Sequence, residues 1–256
     1  MTTDVEPVTA TTPRPLRRIL LSQAWCEVTF LHWAVDPADV APLLPAGVEP
    51  DVLDGATYVG LVPFRMRAAG LLAGPGVPYF GEFPETNVRL YSVDRQGRRG
   101  VVFRSLESSR LATVLGARQL GVPYTWARMR VARTGDVWSY TSRRRWPGPR
   151  DARSRVMVRV GAQISAPGPL ERFLTARWGL HLRQVGHTAY WPNEHPEWPL
   201  HTAELLAFDD DLIAAAGLPQ VSCPPASVLF SPGVRARFGA PVRVEVPPGD
   251  RTYGPS

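Results

Sequence analysis

Through most of the interior of this chain, apolar and polar positions follow the short-period pattern of half-buried strands rather than the 3.6-residue period of helices. Residues 25–35 and 57–66 mix aromatic and β-branched side chains. Residues 87–93 run into the turn Asp94-Arg95-Gln96-Gly97 and then into an apolar stretch at 101–103, which reads as a hairpin. Further strands are predicted at 124–132, 137–142, 155–161, 180–190, 227–230 and 242–246. So many strands at short spacing predict a closed or nearly closed antiparallel sheet.

Helical signals are few. Asp36 followed by Pro37 is an N-cap with proline in the first turn, so a short helix is expected up to Leu44. Residues 109–120 carry apolar side chains at 111, 114, 115 and 120 and stop at Gly121. Two more short helices are expected, at 170–178 and from the Asp209 to Asp211 cluster to Ala216. The three aspartates suit helix capping better than a divalent ion. Residues 1–18 and 247–256 show no period and read as flexible tails around one domain, 19–246. The fold class expected is therefore mainly β, with a few flanking helices.

At 256 residues and 44% hydrophobic content the chain can bury a sizeable core as a single unit. One compositional feature changes the chemical picture: there is no lysine, so all 29 basic side chains are arginine. Guanidinium groups stay protonated at neutral pH and cannot serve as amine nucleophiles. The net charge of +6 is modest for this length, which argues against a nucleic-acid module. Residues 143–155 are denser, with six arginines against Asp151. A solvated hairpin is the favoured reading there, and salt-sensitive binding would revive an acidic partner.

Cys26 and Cys223 lie far apart without metal-type spacing, which suits a reducing compartment. The apolar run 19–21 is too short for a signal segment, and no stretch approaches a membrane span. A cytoplasmic protein without a membrane partner is expected, with homo-oligomerisation left open.

Glu85, Asn87 and Arg89 alternate along one strand and so share a face. If that face lines a barrel, Glu85 is an acid or base raised by burial, Asn87 orients a carbonyl and Arg89 clamps a carboxylate. A solvated outer face carrying a surface ion pair fits the spacing equally well. Glu107 is either a second carboxylate for an acid/base pair or a residue favoured at the start of the following helix. Of five histidines none has tight ligand spacing, so no metal is expected. His195 is the best proton carrier among them, against the commoner outcome of a packed histidine. Tyr58, Phe64, Tyr79, Phe80, Tyr124 and Trp126 could wall a cavity with Arg65 or Arg67 at its mouth, although such sets are more often ordinary core. The glycine-rich stretch 70–81 is a candidate lid or a plain loop. No serine-hydrolase elbow, dinucleotide fingerprint or phosphate loop occurs.

Four segments in one order carry a family likeness: HWAVDPADVAPLLPAGVEPDVLDGATYVGLVPFRMR (32–67), FPETNVRLY (83–91), GVVFRSLESSRLATVLGARQLGVPY (100–124) and HPEWPL (195–200). Together they resemble the YqjF-like family, grouped with the acetoacetate-decarboxylase-like superfamily. The resemblance implies a cone-shaped antiparallel β-barrel around a ligand cavity, and it favours the lumen for Glu85. Decarboxylases of that superfamily form a Schiff base on a lysine beside a second cation. Here the comparable segment reads Phe103-Arg104-Ser105-Leu106-Glu107 and offers no amine. The expectation is a small-molecule site with no cofactor. Glu85, Glu107 and His195 are its catalytic candidates, and Asn87, Arg89, Arg65, Tyr58, Phe64 and Tyr124 its binding candidates. The chemistry expected is that of a lyase, cyclase or isomerase acting on a carbonyl- or carboxylate-bearing metabolite, with a non-catalytic carrier barrel as the alternative.

Overall fold

The computed structural model describes residues 4–71, 81–119, 121–184, 186–219, 221 and 224–246. Its strands are β1 (Leu21–Val35), β2 (Val48–Pro50), β3 (Thr57–Leu71), β4 (Phe83–Asp94), β5 (Arg99–Ser108), β6 (Tyr124–Thr134), β7 (Val137–Trp146), β8 (Arg153–Gln163), β9 (Gly179–Gln184), β10 (His187–Glu194), β11 (His201–Asp210), β12 (Ser227–Phe238) and β13 (Val242–Arg243). The helices are α1 (Pro37–Val40), α2 (Leu111–Gln119), α3 (Pro169–Thr175) and α4 (Leu212–Ala215).

All the strands belong to one sheet, which closes on itself twice. Pairing of β4 with β5 completes a larger ring running β1, β3, β4, β5, β6, β7, β8, β11, β12 and back to β1. Pairing of β10 with β12 completes a smaller ring through β1, β3, β4, β5, β9 and β10. Short parallel contacts from β5 to β6 and to β9 mark where the rings part, and the other pairings are antiparallel.

Because strand side chains alternate, the shared strands present one face to each ring. On β4, Val88 and Leu90 turn into the larger ring and join Leu31, Leu61, Val156 and Val158 in the main apolar cluster. Phe83, Glu85, Asn87 and Arg89 turn the other way and line a cavity in the smaller ring. The helix α3 plugs one end of that ring with Phe173 and Leu174, which pack against Tyr58 and Tyr91. A bulge in β1 at Glu27 (φ 56°) shifts its register against β3 between Cys26 opposite Arg65 and Leu31 opposite Leu61, while β1 keeps one register with β12, Cys26 lying opposite Gly233. Gly233 has φ 129°, and a Cβ there would stand 2.0 Å from the Trp25 carbonyl oxygen, so glycine is required.

The capped first helix is present: the Asp36 carboxylate accepts from the Ala38 amide at 2.8 Å. Residues 41–43 continue it as a 3-10 turn. Other elements depart from expectation. The run 180–190 is a hairpin of β9 and β10, turned at Gly186 with φ 75°. The strand β11 replaces what was read as connecting chain and part of a helix. Its Ala203-Glu204-Leu205-Leu206-Ala207 stretch is made of helix formers, overridden by pairing with β8.

The described part of the N-terminal segment, expected as a flexible tail, makes hydrogen bonds to the barrel. The Glu6 carboxylate accepts from the Arg99 amide at 2.8 Å, Arg14 donates to the Tyr190 hydroxyl at 2.7 Å, and the Leu16 amide donates to Glu194 at 3.2 Å. Tyr79, Phe80, Cys223, most of the 70–81 loop and residues 247–256 lie outside the described residues. No described helix is long and apolar enough to cross a membrane.

Candidate functional site

The cavity in the smaller ring has a volume of about 310 Å³ and mostly apolar walls, among them Trp25, Phe30, Val62, Phe64 and Phe103. A pocket of this size and polarity holds a small organic molecule. Glu85 enters it from near the start of β4, at one end of the shared wall, 3% exposed. Burial raises its carboxyl to about 8, against the partial opposing effect of the Tyr124 hydroxyl, which donates to Oε2 at 2.8 Å. At neutral pH Glu85 is therefore mostly the neutral acid. The same burial and the neighbouring carboxylate push the Tyr124 phenol well above its ordinary range.

Two residues along on the same face, Asn87 is buried with its Oδ1 unpartnered. Arg89 follows. Its Nη2 donates to the Tyr91 hydroxyl at 2.9 Å and to the Leu174 carbonyl at 3.0 Å, and its guanidinium lies over the Phe30 and Tyr91 rings. Among the described residues no carboxylate pairs with it, and its Nε is buried without a partner. Gly60 on β3 makes room for it: a Cβ there would press at 3.1 Å on both the Arg89 Cγ and the His32 ring.

A second guanidinium, Arg177, reaches the cavity from the chain just after α3. It stacks on Phe173 at 4.2 Å and donates from Nε to the Phe173 carbonyl at 2.7 Å. Its Nη1 meets the Asp51 carboxylate, which Arg99 also engages. Its Nη2 remains unpartnered and buried, as do Asn193 Oδ1 and Trp191 Nε1 in the same lining. Five buried polar atoms of residues in the cavity lining thus have no protein partner, and unsatisfied groups carry a cost.

Tyr124 and Phe64 join Glu85, Asn87 and Arg89 in the lining, but other expected residues sit differently. Glu107 follows Leu106 on β5 and so turns into the larger ring, away from the cavity. There it pairs with buried Arg144 at 2.5 Å. No carboxylate pair forms with Glu85. Arg65 points away from the cavity and pairs with Glu27 at 2.8 Å, while Arg67 meets the same carboxylate. Tyr58 lies on the cavity face of β3 but beyond the α3 plug, against Tyr91 and Phe173.

His195 does line the cavity, but its surroundings favour the neutral imidazole. Burial among Trp25, Trp178 and Trp198 drops it to about 4, and its Nδ1 lies 2.8 Å from the Pro196 carbonyl. Trp126 packs under Arg145 instead of lining the site. Arg144, read as part of a solvated hairpin, is buried, whereas Arg143 and Arg153 on the same hairpin are exposed.

Arg177, Trp191 and Asn193 were missed. Arg177 sits inside a run read as helix, and nothing in local spacing ties it to Asp51, 126 positions away. Trp191 and Asn193 fall at the end of a hairpin that was read as one strand. Elsewhere, Ser92, His181 and Asp94 form a hydrogen-bonded chain with the composition of a hydrolytic triad. All three are buried outside the cavity, where no substrate carbonyl could reach the serine.

A twice-closed, mostly antiparallel barrel with a buried ligand-sized cavity is the architecture of acetoacetate-decarboxylase-like proteins. The enduracididine biosynthesis enzyme MppR, solved with pyruvate, matches with TM-score 0.61 at 15% identity over 91% of this chain and 93% of that one. An acetoacetate decarboxylase-like enzyme from Sphingomonas wittichii RW1 matches with TM-score 0.61 at 14% identity, over 92% and 97%. Acetoacetate decarboxylase from Legionella pneumophila matches with TM-score 0.57 at 14% identity, over 93% and 90%. The chain itself belongs to the DUF2071 family, described as an uncharacterized conserved protein, whose pattern covers residues 22–235. It is 31% identical to YqjF of Bacillus subtilis (strain 168) over 191 residues, 72% of this chain and 76% of that protein.

Proposed function

We propose that this protein is a cofactor-independent enzyme of the isomerase or lyase kind, which moves a proton on a carbonyl- and carboxylate-bearing metabolite held in the smaller ring. The observation that carries the reading is a single buried carboxyl, Glu85, raised to about 8 in an apolar cavity that also contains an arginine without a carboxylate partner. The Schiff-base route is closed to this chain, which has no lysine.

In its ionised form Glu85 takes a proton from a carbon next to the ligand carbonyl. The C–H electron pair becomes a carbon–carbon double bond and the carbonyl π pair moves onto oxygen, giving an enolate whose oxygen accepts from the Asn87 amide N–H. Protonated Glu85 then returns the proton to the same or a neighbouring carbon. A carboxylate of raised basicity suits this step better than an ordinary one. Exclusion of water by the aromatic walls strengthens each polar contact and protects the enolate. The pyruvate in MppR makes a 2-oxo acid a natural first probe. A cytoplasmic site of action belongs to the same proposal.

The test is exchange of carbon-bound hydrogen for solvent deuterium, followed by NMR on a panel of oxo acids. Exchange should rise with pH through a midpoint near 8. Glu85→Gln should lower it by at least a hundredfold. Tyr124→Phe removes the hydrogen bond that favours the ionised form, so the midpoint should move to higher pH. Ligands that bind but never exchange in the wild-type protein would leave a carrier barrel as the reading.

A further inference from the structure

The spacing of the two charged functions on β4 limits which ligand the cavity can process. Glu85 and Arg89 are four residues apart on a strand that pairs with β3 without interruption from Met66 opposite Phe83 to Val59 opposite Leu90. At the rise of an extended strand their Cα atoms are about 13 Å apart. The Arg89 guanidinium leans further away from Glu85, since it reaches toward Tyr91 and the Leu174 carbonyl. Arg177 stacks over Tyr91 and Phe173 at that same end. The stretch between is walled by hydrocarbon from Phe30, Val62, Phe64 and Leu106, with Asn87 as the polar group of β4 midway.

We infer that the ligand is an extended monocarboxylate with an apolar body, whose carboxylate rests at Arg89 and Arg177 and whose reacting carbonyl lies at the far end, beside Glu85. This rests on the proton-transfer reading of Glu85 and narrows it. Allowing about 3 Å for the polar contact at each end, the carboxylate and the carbonyl are separated by roughly 6–8 Å within the ligand. A 2-oxo or 3-oxo acid, with the two groups adjacent or one carbon apart, cannot touch both ends at once. A chain with the ketone some five bonds from the carboxylate can.

Three probes test this: 6-oxoheptanoate, its methyl ester, and pyruvate. Binding is read from quenching of the cavity tryptophans, and deuterium exchange is read beside the ketone. The expected result is that 6-oxoheptanoate binds at least tenfold more tightly than pyruvate and exchanges beside its ketone. Arg89→Met should weaken binding of the acid tenfold or more. The ester should bind equally to both proteins, which also reports that the variant is folded.

Glu85-dependent exchange of pyruvate without exchange of 6-oxoheptanoate would overturn the extended ligand while leaving Glu85 as the proton carrier. Tight, Arg89-dependent binding of 6-oxoheptanoate with no exchange of any probe would support the ligand class and remove the proton-transfer reading. Equal affinity for acid and ester would overturn the anion end outright.

Discussion

Glu85 owes its properties to being a carboxyl in a hydrocarbon setting, and that has a consequence for stability independent of any substrate. Its acid form persists to about 8 in the folded chain, against an ordinary value of 4.5. Between those values the folded state holds a proton that the unfolded chain has released, so stability falls as pH rises through that window. His195 works in the opposite direction, because its folded value of about 4 lies below 6.5. Its contribution is gained as pH rises from about 4 to 6.5, and the lowered values of His32 and His181 act in the same sense. The net loss should therefore appear between pH 6.5 and 8.5, amounting to the order of a few kcal/mol. Urea denaturation across that range should show the decline in the wild-type protein and not in Glu85→Gln.

A second buried carboxylate, Glu107, is held by Arg144 within the larger ring. Removing either partner strands a charge in hydrocarbon and should cost about 3–5 kcal/mol. The double replacement Glu107→Leu with Arg144→Met should recover most of that loss in the same denaturation assay.

At the scale of elements, β1 depends on Gly233 of β12, whose left-handed backbone and absent Cβ let the two strands approach at the Glu27 bulge. Gly233→Ala should destabilise the protein by about 2 kcal/mol or more, visible as a lower urea midpoint. No local signal marked this bulge, since the strand pattern of β1 reads continuously through it. The alternation that places Glu85, Asn87 and Arg89 on one face was legible because it needs only neighbours within one strand. Which ring that face would line was not, because the answer depends on pairings between segments far apart. The same limit explains Glu107: its parity against Leu106 was visible, but not that its side of β5 faces a second interior. β11 was missed because its residues favour helix until β8 supplies a ladder, and Arg177 because its partner Asp51 comes from the other half of the chain.

Across the whole molecule, the N-terminal segment is coupled to the cavity through charge. Glu6 accepts from the Arg99 amide and its carbonyl from the Arg99 guanidinium, Arg99 meets Asp51, and Asp51 holds Arg177 against the cavity. Deleting residues 1–18 should lower the melting temperature by roughly 4–8 °C, equivalent to about 2 kcal/mol for a domain of this size. It should also weaken carboxylate binding without changing the midpoint of the pH profile, since Glu85 lies at the other end of the site. Differential scanning calorimetry and the fluorescence titration would read the two effects separately.

The wall common to both rings acts as a septum, with the reacting polar groups of β4 on one side and the main apolar cluster on the other. In a sheet with one solvated face, a slip of one residue exchanges a core face with a solvent face. Here inserting or deleting one residue inside β4 would swap the two sides, carrying the acid, the amide and the guanidinium into the apolar cluster and emptying Val88 and Leu90 into the ligand chamber. The length of that strand is therefore as tightly constrained as the identity of its residues, and variation in this barrel should come as point substitutions on the septum and as length changes only in the loops beyond it.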